Sequence, residues 1–226
     1  MNKKTAAIIV AGGTGNRMNS DIPKQFIKLC GSEIICYTVN TFINCNFIDK
    51  IVIVSHKDYI NHCKNLFKGI DNISIVTGGN TRQESVYNGL KEVSDCSYVL
   101  VHDAVRCLVT VAEIEKLYNT LLQKGSCTLA VKVKDTVKKS DSDNTVTATI
   151  PRENLWQIQT PQAFLTSELI LAHELAVKTQ FEGTDDCSLM ENVKKPITLV
   201  EGNYENIKIT TPSDLEIAKV FLKGRM

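Results

Sequence analysis

No run within the 226 residues approaches the eighteen or so apolar residues that cross a membrane, so no membrane partner is expected. The eight cysteines contain no CxxC pair and no histidine cluster stands beside them, which argues against a zinc site and against a thioredoxin-type redox centre. Charge of one sign is also lacking. Lys+Arg number 26 against 25 Asp+Glu, a net +1, so no global field draws nucleic acid or an anionic surface, and any basic residue that matters must act locally. Nor is there an internal repeat or a linker, and one domain spanning residues 1–226 is expected. With 43% hydrophobic and 23% charged residues the chain has the balance of a folded globular protein. Scattered thiols fit the reducing cytoplasm. Two lysines precede an early apolar run, but Ala6 to Ala11 is shorter than the apolar core of a signal peptide and reads as a first strand.

What is present is an alternation of short apolar runs and helical patterns. Thr5–Ala11, Lys50–Ser55, Ile73–Val76, Tyr98–His102 and Cys127–Val133 are continuous apolar stretches, as buried strands are. Between them, Val86, Leu90 and Val93 follow helical spacing after Arg82, and Ile114, Leu117 and Leu121 do so after the N-cap candidate Thr110. The alternation predicts an α/β fold, a mainly parallel Rossmann-like sheet with helices on both faces. Residues 134–149 break the rhythm: polar, threonine-rich and centred on Ser140-Asp141-Ser142-Asp143-Asn144, they predict a hairpin arm projecting from the sheet. Helices are then expected over Ser167–Lys178 and Asp185–Asn192, strands over Ile197–Glu201 and Asn206–Thr210, and a last helix opened by Thr211-Pro212-Ser213-Asp214.

The most informative stretch is Ala11-Gly12-Gly13-Thr14-Gly15-Asn16-Arg17-Met18, directly after the first strand, with Pro23-Lys24-Gln25 close behind. Glycines let backbone N–H groups approach a phosphate chain, because no side chain intervenes. The loop is not a P-loop, since GxxxxGK is absent, and Met18 stands where a dinucleotide fingerprint needs its third glycine. The second strand ends in Ser55 without the acid that would hold a ribose. Arg17 and Lys24 flank the loop and suit a triphosphate and the charge that builds on a reacting phosphorus; a plain glycine turn with two solvated cations has the same appearance.

Three further clusters lie just beyond predicted strand ends, where open α/β sheets bind ligands. Gly78-Gly79-Asn80-Thr81-Arg82, with Ser85, opens a helix and offers backbone donors. His102-Asp103-Ala104-Val105-Arg106 supplies a carboxylate suited to Mg²⁺ or ribose and a guanidinium suited to phosphate, or equally a surface ion pair. His102 itself reads as structural. Lys208 lies within the apolar run Asn206–Thr210, where its ammonium needs an anion or a route to solvent.

Taken together the motifs AGGTGNRM, PKQF, GGNTRQES, LVHDAVR, VKDT, LWQIQTPQAF, TDDCSLME and VEGNYENIKIT, in this order and spacing, resemble the 2-C-methyl-D-erythritol 4-phosphate cytidylyltransferase family, within the glycosyltransferase-A-like nucleotidyltransferases. The resemblance implies that Ala11, Gly12, Gly13, Gly15, Gly79, Arg82, Ser85 and Ala104 contact CTP, with the base read by the Gly79–Ser85 region. It implies transition-state stabilisation by Arg17 and Lys24, joined by Lys208, and places Asp103, Arg106, Thr136, Arg152, Thr160, Thr184 and Lys208 around the sugar phosphate, some of them given by a second subunit. It implies a homodimer formed through the 134–149 arm, and Mg²⁺ on the CTP phosphates with Asp103 as the candidate metal-facing carboxylate. Two positions depart from the family pattern. Cys107 replaces a usual proline, which predicts a looser loop with a thiol beside Arg106, and Asn16 stands where relatives are often basic.

The implied reaction is in-line attack of a substrate phosphate oxygen on the α-phosphorus of CTP with loss of pyrophosphate, in which positioning and charge neutralisation do most of the work. Within the same chemistry the alternative substrate is ribitol 5-phosphate. Outside it stand a nicotinamide oxidoreductase, disfavoured by the missing glycine and ribose acid, and a non-catalytic nucleotide-binding regulator, disfavoured by the convergent cations.

Overall fold

The structure, a computed structural model, describes residues 3–13 and 22–225. The chain begins with β1 (Thr5–Ala11), buried along almost its whole length, and a tight hairpin of β2 (Lys28–Leu29) and β3 (Ser32–Glu33). Cys30 and Gly31 make that turn with φ of 49° and 96°, the left-handed geometry of a two-residue hairpin. There follow α1 (Ile34–Ile43), β4 (Lys50–Ser55), α2 (Ile60–Leu66), β5 (Ile73–Thr77), α3 (Arg82–Lys91) and β6 (Tyr98–Asp103). The second half comprises α4 (Val111–Lys124), β7 (Cys127–Lys132), the arm strands β8 (Val137–Ser140) and β9 (Val146–Ile150), and β10 (Trp156–Leu165). It ends with α5 (Thr166–Thr179), α6 (Asp186–Asn192), β11 (Thr198–Glu201) and α7 (Pro212–Arg225).

Seven strands form one sheet in the order β11-β7-β10-β6-β1-β4-β5. β10 runs antiparallel to both neighbours, and the other adjacent pairs are parallel. The mainly parallel sheet predicted from the alternation is therefore present, with one reversed strand inside it. One face packs Ala7, Ile9, Ile51, Ile53 and Leu100 under α1, α2 and α4; the other packs Ile8, Val54, Val101 and Phe164 under α3, α5 and α6. Both faces are covered, which is why the strands read as continuous apolar runs. α3 lies unusually close: a methyl group at Gly89 would stand 2.8 Å from Ile8 Cγ2 and 3.0 Å from Val54 Cγ2, so only glycine lets this helix seat on β1 and β4.

The helix starts follow the predicted signals. Thr110 and Glu113 form a reciprocal capping box on α4, and Thr211 and Asp214 exchange backbone bonds at the start of α7. One expected element is absent. Residues 206–210 form no strand; besides the local turn bonds of Asn206 and Ile207, the backbone bond from Ile209 N–H to the Val105 carbonyl (3.0 Å) ties them to the loop at the end of β6. β6 already has β1 and β10 on its two edges, so no ladder is open to this segment. It crosses the end of the sheet instead. Ile209 is buried against α7, while Lys208 turns outward and is about two-fifths exposed, so the lysine is not enclosed in an apolar strand.

Register aligns the carboxyl ends that matter. Ala11 sits opposite Ser55, Ser55 opposite Thr77, and Val10 opposite Asp103. Among the described residues no helix is long and apolar enough to cross a membrane.

Candidate active site

Beyond those aligned ends lies a cleft of about 430 Å³. Ala11, Gly12 and Gly13 form one wall, and the 3₁₀ turn Lys24–Phe26 brings Lys24 to it. The two walls are pinned together by Gln25, whose buried amide donates to the Ala11 carbonyl (2.6 Å) and the Gly13 carbonyl (3.1 Å). Gly12 and Gly13 do not use left-handed backbone. Among the described residues a methyl group at Gly13 would meet nothing within 4 Å, so protein packing does not demand glycine there, whereas a ligand lying against the backbone would.

The opposite wall is the loop between β5 and α3. Ser85 Oγ accepts from Gly79 N–H (3.1 Å) and donates to the Thr81 carbonyl (2.8 Å), and Glu84 accepts from Asn80 N–H (2.6 Å). A Cβ at Gly79 would lie 2.3 Å from that of Glu84, so the loop closes this tightly only with glycine. Thr81 caps α3. Gly79, Arg82 and Ser85 all line the cleft, as does His56 at the end of β4, a residue no sequence signal marked.

A second cavity of about 160 Å³ adjoins the first, and Arg82, Asp103 and Lys208 line both. Arg106, Thr160 and Thr184 line only the second. At the junction Lys208 Nζ lies 2.6 Å from Asp103 Oδ2, and Arg82 Nε 3.2 Å from Asp103 Oδ1. Burial acts to raise the Asp103 pKa, but Arg82, Lys208 and Arg106 override it and hold the carboxyl well below the usual carboxylate range. Burial likewise pulls the Arg106 pKa down, against the attraction of Asp103; its Nη1 donates to the Asn206 carbonyl (2.7 Å).

His102 explains how the junction is held. Asp103 N–H donates to Thr160 Oγ1 (3.1 Å), Thr160 Oγ1 meets His102 Nδ1 (3.1 Å), and His102 Nε2 meets the Arg106 carbonyl (3.2 Å). Since a carbonyl only accepts, Nε2 carries the proton and Nδ1 receives that of Thr160. Full burial pushes the imidazole pKa down to about 3, so it stays neutral. The structural reading of His102 is correct, and its work is to tie β6, the loop behind it and β10 into one unit.

Gly15, Arg17 and Asn16 lie outside the described residues. Ala104 lines neither cavity: it is fully buried, its N–H bonded to Val10 and its carbonyl to the Thr38 hydroxyl. Thr136 and Arg152 flank the arm, exposed, and line neither cavity; Arg152 donates to the Lys134 carbonyl. Cys107 departs from expectation. It is buried with Leu29, Ile34, Leu108 and Leu222, and burial raises its thiol pKa to about 12, so it is an inert apolar filler. The loop it sits in is held by turn bonds from Arg106 N–H to Asp103 and Val109 N–H to Arg106, not loosened.

Among the described residues no group of three or more His, Cys, Asp or Glu could hold a metal by itself. Asp103 is the one carboxylate lining the larger cleft among them. That donor set suits a Mg²⁺ that keeps its phosphates and waters and takes one protein carboxylate, and does not suit a resident metal cage.

A mostly parallel sheet with a glycine wall, a cleft of about 430 Å³ and a cationic junction at its carboxyl edge defines a nucleotidyltransferase. The model of the family 2-C-methyl-D-erythritol 4-phosphate cytidylyltransferase (IspD) matches residues 5–224, and the chain belongs to that family. A 2-C-methyl-D-erythritol 4-phosphate cytidylyltransferase of Geobacillus kaustophilus is 42% identical over 223 residues, 97% of each chain. One from Clostridium botulinum is 44% identical over 224 residues, 97% of this chain and 98% of the other. Among solved structures, 4-diphosphocytidyl-2C-methyl-D-erythritol synthase of Anaerococcus prevotii superposes with a TM-score of 0.88 at 35% identity, covering 98% of this chain and 96% of that one. The Francisella tularensis cytidylyltransferase superposes at 0.83 and 35% identity, covering 97% and 100%.

Proposed function

We infer that the two adjoining cavities bring CTP and 2-C-methyl-D-erythritol 4-phosphate together, the chain transferring CMP from the first to the second and releasing pyrophosphate. The observation that carries this is the shared lining: Arg82, Asp103 and Lys208 border both spaces. Two polyanions that repel each other must meet somewhere, and here they meet over cations. CTP takes the larger cleft, its phosphates against Ala11 to Gly13 and its base toward Gly79 and Ser85. The sugar phosphate takes the smaller space, with Arg106 and Lys208 toward its phosphate and Thr160 and Thr184 toward its hydroxyls. A substrate phosphate oxygen attacks the α-phosphorus while Lys24, Arg17 and Lys208 offset the charge that builds. Asp103 is the carboxylate that would face a Mg²⁺ bound to the triphosphate, and such an ion would supply neutralising charge there. Pyrophosphate release from CTP, with and without EDTA, against methylerythritol and ribitol phosphates tests the reading. Higher kcat/KM for the methylerythritol substrate and loss of turnover with EDTA are expected. A preference for ribitol 5-phosphate would change the substrate, and no turnover with either would leave a nucleotide-binding regulator.

The chain works as one domain with the arm as part of it, and as a homodimer in the cytoplasm. For the compartment, the support is eight unpaired thiols, six of them buried. For the dimer it is the arm: among the described residues β8 and β9 pair only with each other, and residues 134–149 are exposed throughout except Val137. Asp141 shapes the tip, its carboxylate accepting from the N–H groups of Asp143 (3.0 Å) and Thr145 (2.9 Å). An ordered hairpin that buries so little of itself needs a partner surface to offset its ordering entropy. That surface is the second subunit, whose cavity Thr136 and Arg152 complete. Sedimentation at micromolar concentration is expected to give a dimer, and Arg152→Ala to lower kcat/KM without dissociating it. A fully active monomer would remove the arm from the site.

A further inference from the structure

We propose that Asp186 is a positioning residue for the transfer reaction: with His173 behind it, it fixes the guanidinium of Arg82 at the junction of the two cavities. The proposal rests on the reading of that junction given above. Arg82 uses Nε on Asp103 and Nη1 on Asp186 (2.8 Å), so two carboxylates hold one planar group from two sides. Two anchors fix the plane where one would leave it free to rotate. Nη2 is buried and has no hydrogen-bond partner among the described residues.

Asp186 itself is nearly inaccessible, about 1% exposed, and lines neither cavity. It touches no substrate. A buried carboxylate this close to a site for two polyanions weakens their binding by repulsion unless its charge is spent on something else. Here it is spent on Arg82; behind it stands the fully buried His173, whose Nε2 lies 3.5 Å from Asp186 Oδ1 without forming a hydrogen bond. The His173 ring in turn stacks on Tyr87, with centroids 5.7 Å apart and planes 9° from parallel. Tyr87 lies on α3, the helix that Arg82 begins, so His173 on α5 braces the helix and the acid together. At the start of α6, Gln162 from β10 accepts from the N–H groups of Asp186 (3.1 Å) and Cys187 (3.2 Å), fixing the backbone beneath the carboxylate. Three helices and a strand thus converge on a single guanidinium.

The test is a double-mutant cycle on kcat/KM for CTP using Asp186→Asn, Arg82→Lys and the pair. Asp186→Asn alone is expected to lower kcat/KM by about tenfold or more. In the Arg82→Lys background, where no planar fork remains to be oriented, it is expected to cost less than about twofold further. An equal loss in both backgrounds means that Asp186 only supports the fold, and overturns the proposal. If Asp186→Asn does not fold, His173→Leu is read through the same cycle. His173→Gln, which keeps a polar side chain beside Asp186, is expected to stay within about twofold of the wild type, and a loss as large as that of His173→Leu also counts against the proposal. Absence of cytidylyl transfer by the wild-type chain would refute the reading of the site itself, a result distinct from an additive cycle.

Discussion

Lys24→Ala is expected to lower kcat by about 10²-fold or more while leaving the melting temperature nearly unchanged, because it removes the charge proposed to face the transferring phosphoryl group and keeps the Gln25 and Phe26 contacts of the turn. The turn stands on its neighbours. Gln25 clamps the glycine wall, and Phe26 is buried and stacked on Tyr59, with centroids 4.9 Å apart. Alanine at position 24 therefore leaves Gly12 and Gly13 where they are. Steady-state pyrophosphate release beside a thermal melt checks both halves. A fall in kcat with little change in KM marks an interaction made in the transition state, whereas a rise in KM alone would assign Lys24 to ground-state binding of the triphosphate. Near-normal kcat would remove it from the reaction. Arg17→Ala, argued from the sequence alone, is expected to act on the same scale.

The parts of the fold that the sequence revealed are those where local pattern and burial coincide. β1, β4 and β6 are covered on both faces, so their inner positions (6–11, 51–54 and 99–101) are all apolar and the runs stand out. α1 gave no such signal, because Ile34-Ile35-Cys36-Tyr37-Thr38-Val39 is rich in β-branched residues that favour strands when read locally. It is helical because Ile35, Val39 and Phe42 then fall on one face against the sheet, and packing outweighs propensity. α2 is short and mostly polar, with Cys63 as its one buried residue. β10 was hidden by Pro161, which argues against an interior strand. The chain accommodates it with a register shift against β7 between Ile158 and Gln162. The opposite error at residues 206–210 has the same root: strand-like composition does not supply a free sheet edge.

The site was legible where a charged or glycine residue follows a strand, since parallel strands deliver their carboxyl ends to one edge. Gly79, Arg82, Asp103 and Arg106 were read in this way, and Lys208 from a strand over 206–210 that the structure does not form. The residues that support them were not. Gln25, Gln162, His173 and Asp186 act through contacts with residues from other elements, as Asp186 does with Arg82, 104 positions away. No spacing rule links such positions, and a glutamine or a buried histidine carries no chemistry of its own to draw notice. Arg152 and Thr136 present the converse case: the motif marks them, yet within one chain they stand outside both cavities.

Asp103→Asn is expected to be the most damaging single change, lowering kcat/KM by about 10²-fold or more and destabilising the chain by about 3 kcal/mol at neutral pH, the scale for breaking a buried ion pair from one side. Asparagine fits the space and can still receive one hydrogen bond, so the loss is that of the charge between Arg82 and Lys208. The pH dependence separates this charge from its surroundings. Asp103 has its pKa lowered by folding, so its contribution is complete above the unfolded value of about 4 and is lost as pH falls below that. His102 adds an acid limb of its own. Its folded pKa of about 3 lies below its ordinary 6.5, so the unfolded chain takes up the proton first and stability declines from about pH 6.5 downward. Both proteins share that decline down to about pH 4; nearer the folded imidazole pKa they differ, because the Asp103 charge raises it. The gap between them is therefore expected to stay constant from neutral pH to about 4 and to narrow below it, read as ΔG from urea melts at successive pH values. A gap that persists unchanged to pH 2 would mean that the carboxylate charge is not what stabilises the junction, and that the loss of activity in Asp103→Asn has another origin than the orientation of Arg82 and Lys208.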